Sequence, residues 1–466
     1  MRLTPRSPRV RPRPLTDRSP RRSTPRLRRI ATRLGVPLTA LVTMAGGLAL
    51  AAPAQADNVV TPGNFTGYGF DQCTAPTQRS MDAWRTGSPY SAVGIYISGD
   101  SRGCLSQPNL TPTWVSTQLA RGWRLLPITL GPQASCTTRE RYLRQVRINP
   151  SSTGSYTKAR AQGRAEARKT VGVALRLGIA ERSTLWYDLE AFNISSTRCR
   201  ESALSFLSAW TNQLHKEGYV SGVYSSAASG VKMLDDARAL RPGVHRMPDA
   251  VWIADWNGRA DVSSSYVRSS GWMPHNRVHQ YRGGHDERHG GVTINIDNNW
   301  LDLGKGSTIS REKAHCDGKA SYNYLRYSSM RVGARGAQVR TVQCLLRGHG
   351  AYSGTVDGVY DAGLGAAVRA YRVKRGLSSS STTGPAMWTA LVSYGSQPVL
   401  KVGSAGTGVR RLQRALNAAD GAGLSVTGIY RSSTATAVKR YQRDHRYTQT
   451  GVVTPSLWRL LQRGTV

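Results

Sequence analysis

In 466 residues the chain carries only 27 Asp and Glu against 64 Lys and Arg, so the places where its acids recur are informative. Asp188 and Glu190 close the run Leu-Trp-Tyr-Asp-Leu-Glu. Two positions apart on a strand, their side chains face the same way, with Trp186 beneath them. Asp71, Asp255 and Asp297 likewise stand at the ends of predicted strands, in GFDQC, IADW and INIDNNW. Like charges crowded in a partly dry pocket raise at least one carboxyl pKa and leave a protonated acid beside ionised partners. That pairing is what hydrolysis of a glycosidic bond requires.

Such acids must be carried to one place by the chain around them. Eight strands are predicted, at Gly67–Cys73, Ala92–Ser98, Arg124–Leu130, Thr184–Leu189, Val220–Ser225, Ala250–Asp255, Arg277–Tyr281 and Thr293–Asp297. Amphipathic helices fit between the first five strands, most clearly over Tyr156–Leu177 and Ser202–Glu217, whereas the later connections hold little helix. The fold class expected is α/β, a TIM-like (β/α) barrel with a reduced last third, followed by two small three-helix domains. In a parallel barrel the strand C-termini share one mouth, and closure makes strands one and eight neighbours, bringing Asp71 to Asp297. Asn295 and Asn299 share the face of Asp297. A doubly wound open sheet would want a glycine-rich first turn, and GYGFDQC is not G-x-G-x-x-G.

The formal net charge is +37, of which residues 1–56, with 12 Arg and one Asp, supply a part. That segment has an Arg-rich, Pro-rich start, an apolar run over Val36–Ala52, and an Ala-Gln-Ala exit at residues 54–56, the pattern of a secretory signal peptide. The pair Arg28-Arg29 suits a twin-arginine signal, and the run is short for a membrane anchor. Export into an oxidising compartment turns the six cysteines toward three disulfides rather than a metal site, and demotes nucleic acid as the partner of the basic surface. No cofactor, no metal and no stable membrane insertion is expected, and the chain is expected to be a monomer. His279, His285 and His289 cluster on a Gly-rich stretch with Asp286, but no H-E-x-x-H helix supports a zinc hydrolase and no G-x-S-x-G elbow supports a serine one.

Residues 332–391 and 402–461 match without a gap at an offset of 70. Val339/Val409, Gln343/Gln413, Gly358/Gly428, Tyr371/Tyr441, Pro385/Pro455 and Trp388/Trp458 are among the pairs. Each copy reads as three short helices, with a turn at Asp357-Gly358 or its equivalent and a proline opening the third helix. The boundaries expected are 1–56 signal peptide, 57–310 barrel, 311–330 linker, and 331–395 and 396–466 for the repeats.

The two copies, through VGARGAQVRTVQCLL, VDGVYDAGLGAAVRAYR and PAMW and their counterparts, resemble the peptidoglycan-binding domain 1 family. Thr427 departs from Asp357 of the first copy, which implies different binding by the second. In the barrel, GFDQC, LWYDLEAF, VWIADWNG, VHQYRGG and INIDNNW resemble family 25 glycoside hydrolases, muramidases with a D-x-E pair. They are more similar still to the glycoside-hydrolase-like domain of unknown function of the 1906 family. The resemblance implies that Glu190 is the general acid/base and that Asp188 orients or stabilises the reacting N-acetyl group. It further implies that Asp71 and Asp297 bind substrate or tune the pair, and that Asp255, Trp252, Trp256, Gln280, Tyr281 and Asn299 contact substrate. The aromatic members would stack on sugar faces. Cysteines following strands one to four lie on loops around the same mouth, which favours the neighbour pairings Cys73–Cys104 and Cys136–Cys199. Cys316–Cys344 would clip the linker onto the first repeat. The function expected is a secreted, wall-associated glycoside hydrolase-like protein acting on peptidoglycan. The alternative is a non-catalytic peptidoglycan-binding protein with a degenerate barrel.

Overall fold

A computed structural model describes residues 58–304, 312 and 315–466. The signal peptide expected over 1–56 lies outside the described residues. The apolar, β-branched runs form β1 (Thr66–Asp71), β2 (Ala92–Ser98), β3 (Arg124–Thr129), β4 (Thr184–Asp188), β5 (Val220–Ser226), β6 (Ala250–Ala254), β7 (Arg277–His289) and β8 (Val292–Asp302). They close into one barrel in sequence order. Between them run α1 (Gln78–Gly87), α2 (Pro112–Ala120), the short α3 (Glu140–Leu143), α4 (Thr157–Arg176), α5 (Thr197–Lys216) and α6 (Lys232–Leu240). Along the barrel strands the side chains alternate between the two faces, except at bulges in β2 and β7. Inward side chains, among them Ile128, Trp186, Trp252, Val278 and Leu301, fill the barrel, while outward ones such as Phe70, Val93, Tyr187 and Val223 pack under the helices. Helix α5 starts several residues earlier than the apolar pattern predicts, because its polar first turn is tied down by the buried Cys199 in a disulfide.

The barrel is not wholly parallel. Strands β1 to β7 are parallel to their neighbours, but β8 runs antiparallel to both β7 and β1. The cause is local: only Gly290-Gly291, both with left-handed φ of +56° and +82°, joins β7 to β8, and a parallel return would need a crossover of about a dozen residues. Both strands are therefore longer than predicted and project beyond the barrel as a hairpin. Its tip rests on α1, where a Cβ on Gly290 would come within 2.7 Å of the Ala83 carbonyl oxygen. Trp84 donates its indole N–H to the Val292 carbonyl at 3.0 Å. One face of the hairpin carries His285, Glu287 and His289. The Glu287 carboxylate accepts from both histidines, from Tyr90 and from Asn298 at 2.8–3.0 Å, and those bonds hold its pKa down at about 2.

The C-terminal repeats form α7 (Ala337–Gly348), α8 (Ala362–Lys374), α9 (Pro385–Ser393), α10 (Thr407–Asp420), α11 (Ser432–Asp444) and α12 (Pro455–Gln462). They do not bury separate cores. Val342, Trp388 and Leu391 of the first repeat share one apolar cluster with Leu412, Leu416 and Trp458 of the second. The turn residues repeat as well: Gln343 accepts from the Gly358 amide and Gln413 from the Gly428 amide, each at 2.8 Å. Asp357 and Thr427 play one part, bracing that turn through the amide two residues on, so the departure at Thr427 preserves that structural bond. All three disulfides join neighbours, Cys73–Cys104, Cys136–Cys199 and Cys316–Cys344.

Candidate active site

Asp71 ends β1 and is the register partner of Asp297 on β8, so the last strand delivers its acid to the mouth from mid-strand, not from its C-terminus. Room for Asp71 comes from Gly94, its partner on β2, where a Cβ would fall 2.5 Å from the Asp71 Cβ. Two amides hold the pair. Asn299 donates to Asp71 Oδ2 at 2.7 Å, and Gln280 donates to Asp71 Oδ2 at 3.1 Å and to Asp297 Oδ2 at 3.2 Å. The donors are aimed in turn: Gln280 accepts from Tyr224 and Trp256, and Asn299 accepts from the Trp252 indole. Burial, reinforced by the charge of Asp297, pushes Asp71 up to about 8, and burial pushes Asp297 up to about 6. The two are hydrogen-bonded to each other, so near neutral pH they share a proton.

Asp188 ends β4, is 1% exposed, and accepts from the Tyr96 hydroxyl at 3.1 Å. Its Oδ1 has no hydrogen-bond partner among the described residues, and burial followed by the charge of Glu190 holds its pKa well above the carboxylate range. The D-x-E segment is locked by Gln133, which donates to the Asp188 carbonyl and accepts from the Glu190 amide, both at 2.8 Å. Glu190 itself reaches the cavity. It pairs with Arg139 at 3.2 Å and lies 3.4 Å from the Tyr142 hydroxyl. The cavity, about 260 Å³, is lined by Asp71, Asp297, Glu190, Tyr96, Tyr142 and Arg141, among others. The charge of Glu190 acts on both Asp188 and Asp297, and that of Asp71 on Asp188, so the four acids lie within electrostatic reach of one another.

The remaining candidates divide. Gln280 and Asn299, both 1% exposed, serve the acids as positioning groups beneath the cavity. Trp252 is 1% exposed inside the barrel, edge-on to Trp186, and so cannot stack on a sugar; its inward position on β6 makes it part of the floor. Trp256 is 66% exposed and is the aromatic available to a ligand. Tyr281 stands apart from the acids. It occupies the bulge between the pairs Gln280↔Asn299 and Arg282↔Asn298, and its electrostatic neighbours are Tyr68, Glu287 and Arg282, not the acids. Asp255 is likewise apart from the set, its carboxylate accepting from Ser264 and Asn257 within its own loop. The histidines are divided too: both ring nitrogens of His279 face backbone carbonyls, while His285 and His289 serve Glu287. Sequence reasoning missed Tyr96, Tyr142, Arg139 and Gln133. Tyr96 was within reach, two residues beyond Gly94 on the inward face of β2; loop residues such as Arg139 carry no periodic signal.

A family model described as "Rv2525c-like, glycoside hydrolase-like domain" matches residues 82–301, a span that begins after β1. One described as a putative peptidoglycan binding domain matches residues 335–391 and 405–461. No curated protein matches the chain. Among solved structures, an uncharacterized B. stearothermophilus protein is 19% identical, with 50% of this chain and 95% of that one covered and a TM-score of 0.31. A family 25 glycosyl hydrolase from Bacillus anthracis is 12% identical, with 54% and 94% covered and a TM-score of 0.30. The SleB N-terminal domain is 32% identical over 15% of this chain and 94% of its own, with a TM-score of 0.15. The chain carries an Rv2525c-like, glycoside hydrolase-like domain followed by two modules of the putative peptidoglycan binding type.

Proposed function

We propose that the protein is exported and hydrolyses a β-1,4 glycosidic bond in the glycan strands of peptidoglycan, held on the wall by its C-terminal modules. The observation that carries this reading is three acids, Asp71, Asp297 and Glu190, lining one open cavity with Asp188 buried beside Glu190, in a chain that also bears two modules of the peptidoglycan binding type. Glu190, which lines the cavity beside Tyr96 and Tyr142, gives its proton to the departing glycosidic oxygen and takes one back from the attacking water. Asp188, whose pKa burial holds up, orients the N-acetyl group, and the Asp71–Asp297 pair binds a sugar hydroxyl. Without the +11 of residues 1–56, the net charge of +37 falls to +26, which favours retention on an anionic wall.

The test is release of reducing ends from purified walls, wild type against Glu190→Gln. Release by the wild type that the variant lacks supports hydrolysis; no release by either, with wall binding intact, refutes it. One observation favours a second reading, a wall-binding protein whose barrel holds a glycan without cutting it. Arg139 already ion-pairs the carboxylate that would have to move the proton. Arg139→Ala discriminates, since the hydrolase reading expects altered turnover and the binding reading expects none in either form.

A further inference from the structure

The two modules are equivalent in sequence but not in surroundings. In the first, Val332 on the leading loop and Ala366, Arg369, Ala370, Val373 and Lys374 of α8 line an open groove of about 760 Å³. At the fixed offset of 70, the same face of the second module begins with Val402 and continues through Ala435, Thr436 and Lys439 of α11. There Tyr68, Pro89 and Trp300 of the barrel close in on it, and the space left is about 150 Å³.

The leading loops show how the barrel takes hold. Arg331 is exposed and Val332 is 53% exposed, whereas their equivalents are the buried Lys401 and the half-buried Val402. Gly333 and Gly403 share left-handed φ of +96° and +93°, but a Cβ on Gly333 would meet nothing within 4 Å, while one on Gly403 would lie 2.4 Å from the Phe65 ring and 2.8 Å from the Thr66 carbonyl oxygen. Lys401 enters the barrel wall, where Nζ donates to the carbonyls of Arg85, Ser88 and Tyr90 and lies over the Trp123 ring. Burial pushes its pKa down, yet three carbonyl acceptors match the three N–H groups of an ammonium, which favours the charged form. A buried lysine with three backbone acceptors is a fixed joint, not a passing surface contact.

We propose that the modules have divided their work: the second is a dock that fixes the pair to the barrel, and wall polymer is taken by the groove of the first alone. This rests on the wall-binding part of the proposed function. The occupant is a peptide-bearing segment of peptidoglycan. Arg369 and Lys374 face its stem-peptide carboxylates, and the floor of Val332, Ala366 and Ala370 accepts its alanine methyls and sugar faces. In the second module the position of Lys374 is taken by Asp444, which removes one of the two cations.

The test is co-sedimentation of the full chain with purified walls, in a Glu190→Gln background so that walls are not consumed. Arg369→Glu and Ala366→Trp should each raise the half-saturating concentration at least tenfold, and Lys374→Gln about threefold. Lys439→Glu, the counterpart of Arg369→Glu, should change it less than twofold. Thermal melting of each variant separates a lost contact from a lost fold, and the mild Lys374→Gln change keeps the test alive if a bulkier one unfolds. An equal loss with Lys439→Glu, or unchanged binding by folded Arg369→Glu and Ala366→Trp chains, overturns the division. Failure of the parent chain itself to sediment overturns the wall-binding reading on which it rests.

Discussion

Adding one methyl group, by Gly94→Ala, probes how tightly the carboxyl cluster is built. The new Cβ would sit 2.5 Å from the Asp71 Cβ, 3.1 Å from the Trp252 ring and 3.2 Å from Ile128 Cδ1. Ordinary carbon contacts are near 3.5–4 Å, so Asp71 must retreat by roughly 1 Å or strands β1 and β2 must part. Neither is easy, because Asp71 is tied by Asn299 at 2.7 Å and Gln280 at 3.1 Å and the Trp252 indole is bonded in turn to Asn299. Overpacking of this kind costs about 1–3 kcal/mol. In a barrel of this size that lowers the melting temperature by about 3–8 °C. On the proposed function, a displacement of about 1 Å at this substrate-binding carboxylate lowers the rate on the order of a hundredfold. Differential scanning fluorimetry and reducing-end release from walls measure the two effects separately. A melting point within 1 °C of wild type would refute the packing argument. A lowered melting point with undiminished release would show that the position of Asp71 does not matter to turnover.

The other predictions concern protonation, cross-links and the repeat turn. Because the folded pKa of Asp71, about 8, exceeds its ordinary 3.8, the folded chain keeps a proton that the unfolded chain has released between those values. Stability therefore falls as pH rises through that window, at about 1.4 kcal/mol per unit of displacement. Asp71→Asn should stabilise the chain in urea melts at pH 8 and change little at pH 4; equal effects at both would refute the shared-proton account. Replacing Cys136 and Cys199, 63 residues apart, by alanine should destabilise by about 4 kcal/mol. A change under about 1 kcal/mol in a denaturant melt would count against that. Thr427→Asp should leave wall binding unchanged and raise the melting point slightly, since the aspartate restores the bonds made at Asp357; a change in wall affinity would return position 427 to ligand recognition.

Much of the site was legible because its parts are periodic. Asp188 announced itself by its place at a strand end, Glu190 by its spacing from it, and the repeats by an offset of 70. Closure of the barrel then placed Asp71 beside Asp297, although the reasoning assumed a parallel last strand and the acid arrives on an antiparallel one. What was not legible depends on which face a side chain takes. Trp252 and Trp256 look alike in VWIADWNG, but the first points into a closed barrel and the second follows the strand. A bulge that no residue type announces carries Tyr281 away from the acids. Glu287 carries no periodic signal in the sequence, and only the hairpin reveals it as a hub for two histidines, a tyrosine and an asparagine.

The reversed eighth strand has a consequence for how a ligand is received. The β7–β8 ladder runs from the barrel seam, across bulges between Gln280 and Arg282 and between Arg282 and His285, to the tip at Gly290-Gly291, and that tip is wedged against the first helix. A rim built in this way is a fixed parapet, not a hinged flap, for it could swing only by unzipping the seam that carries Asp297. On the proposed function, such a rim would meet the glycan strand as a fixed edge.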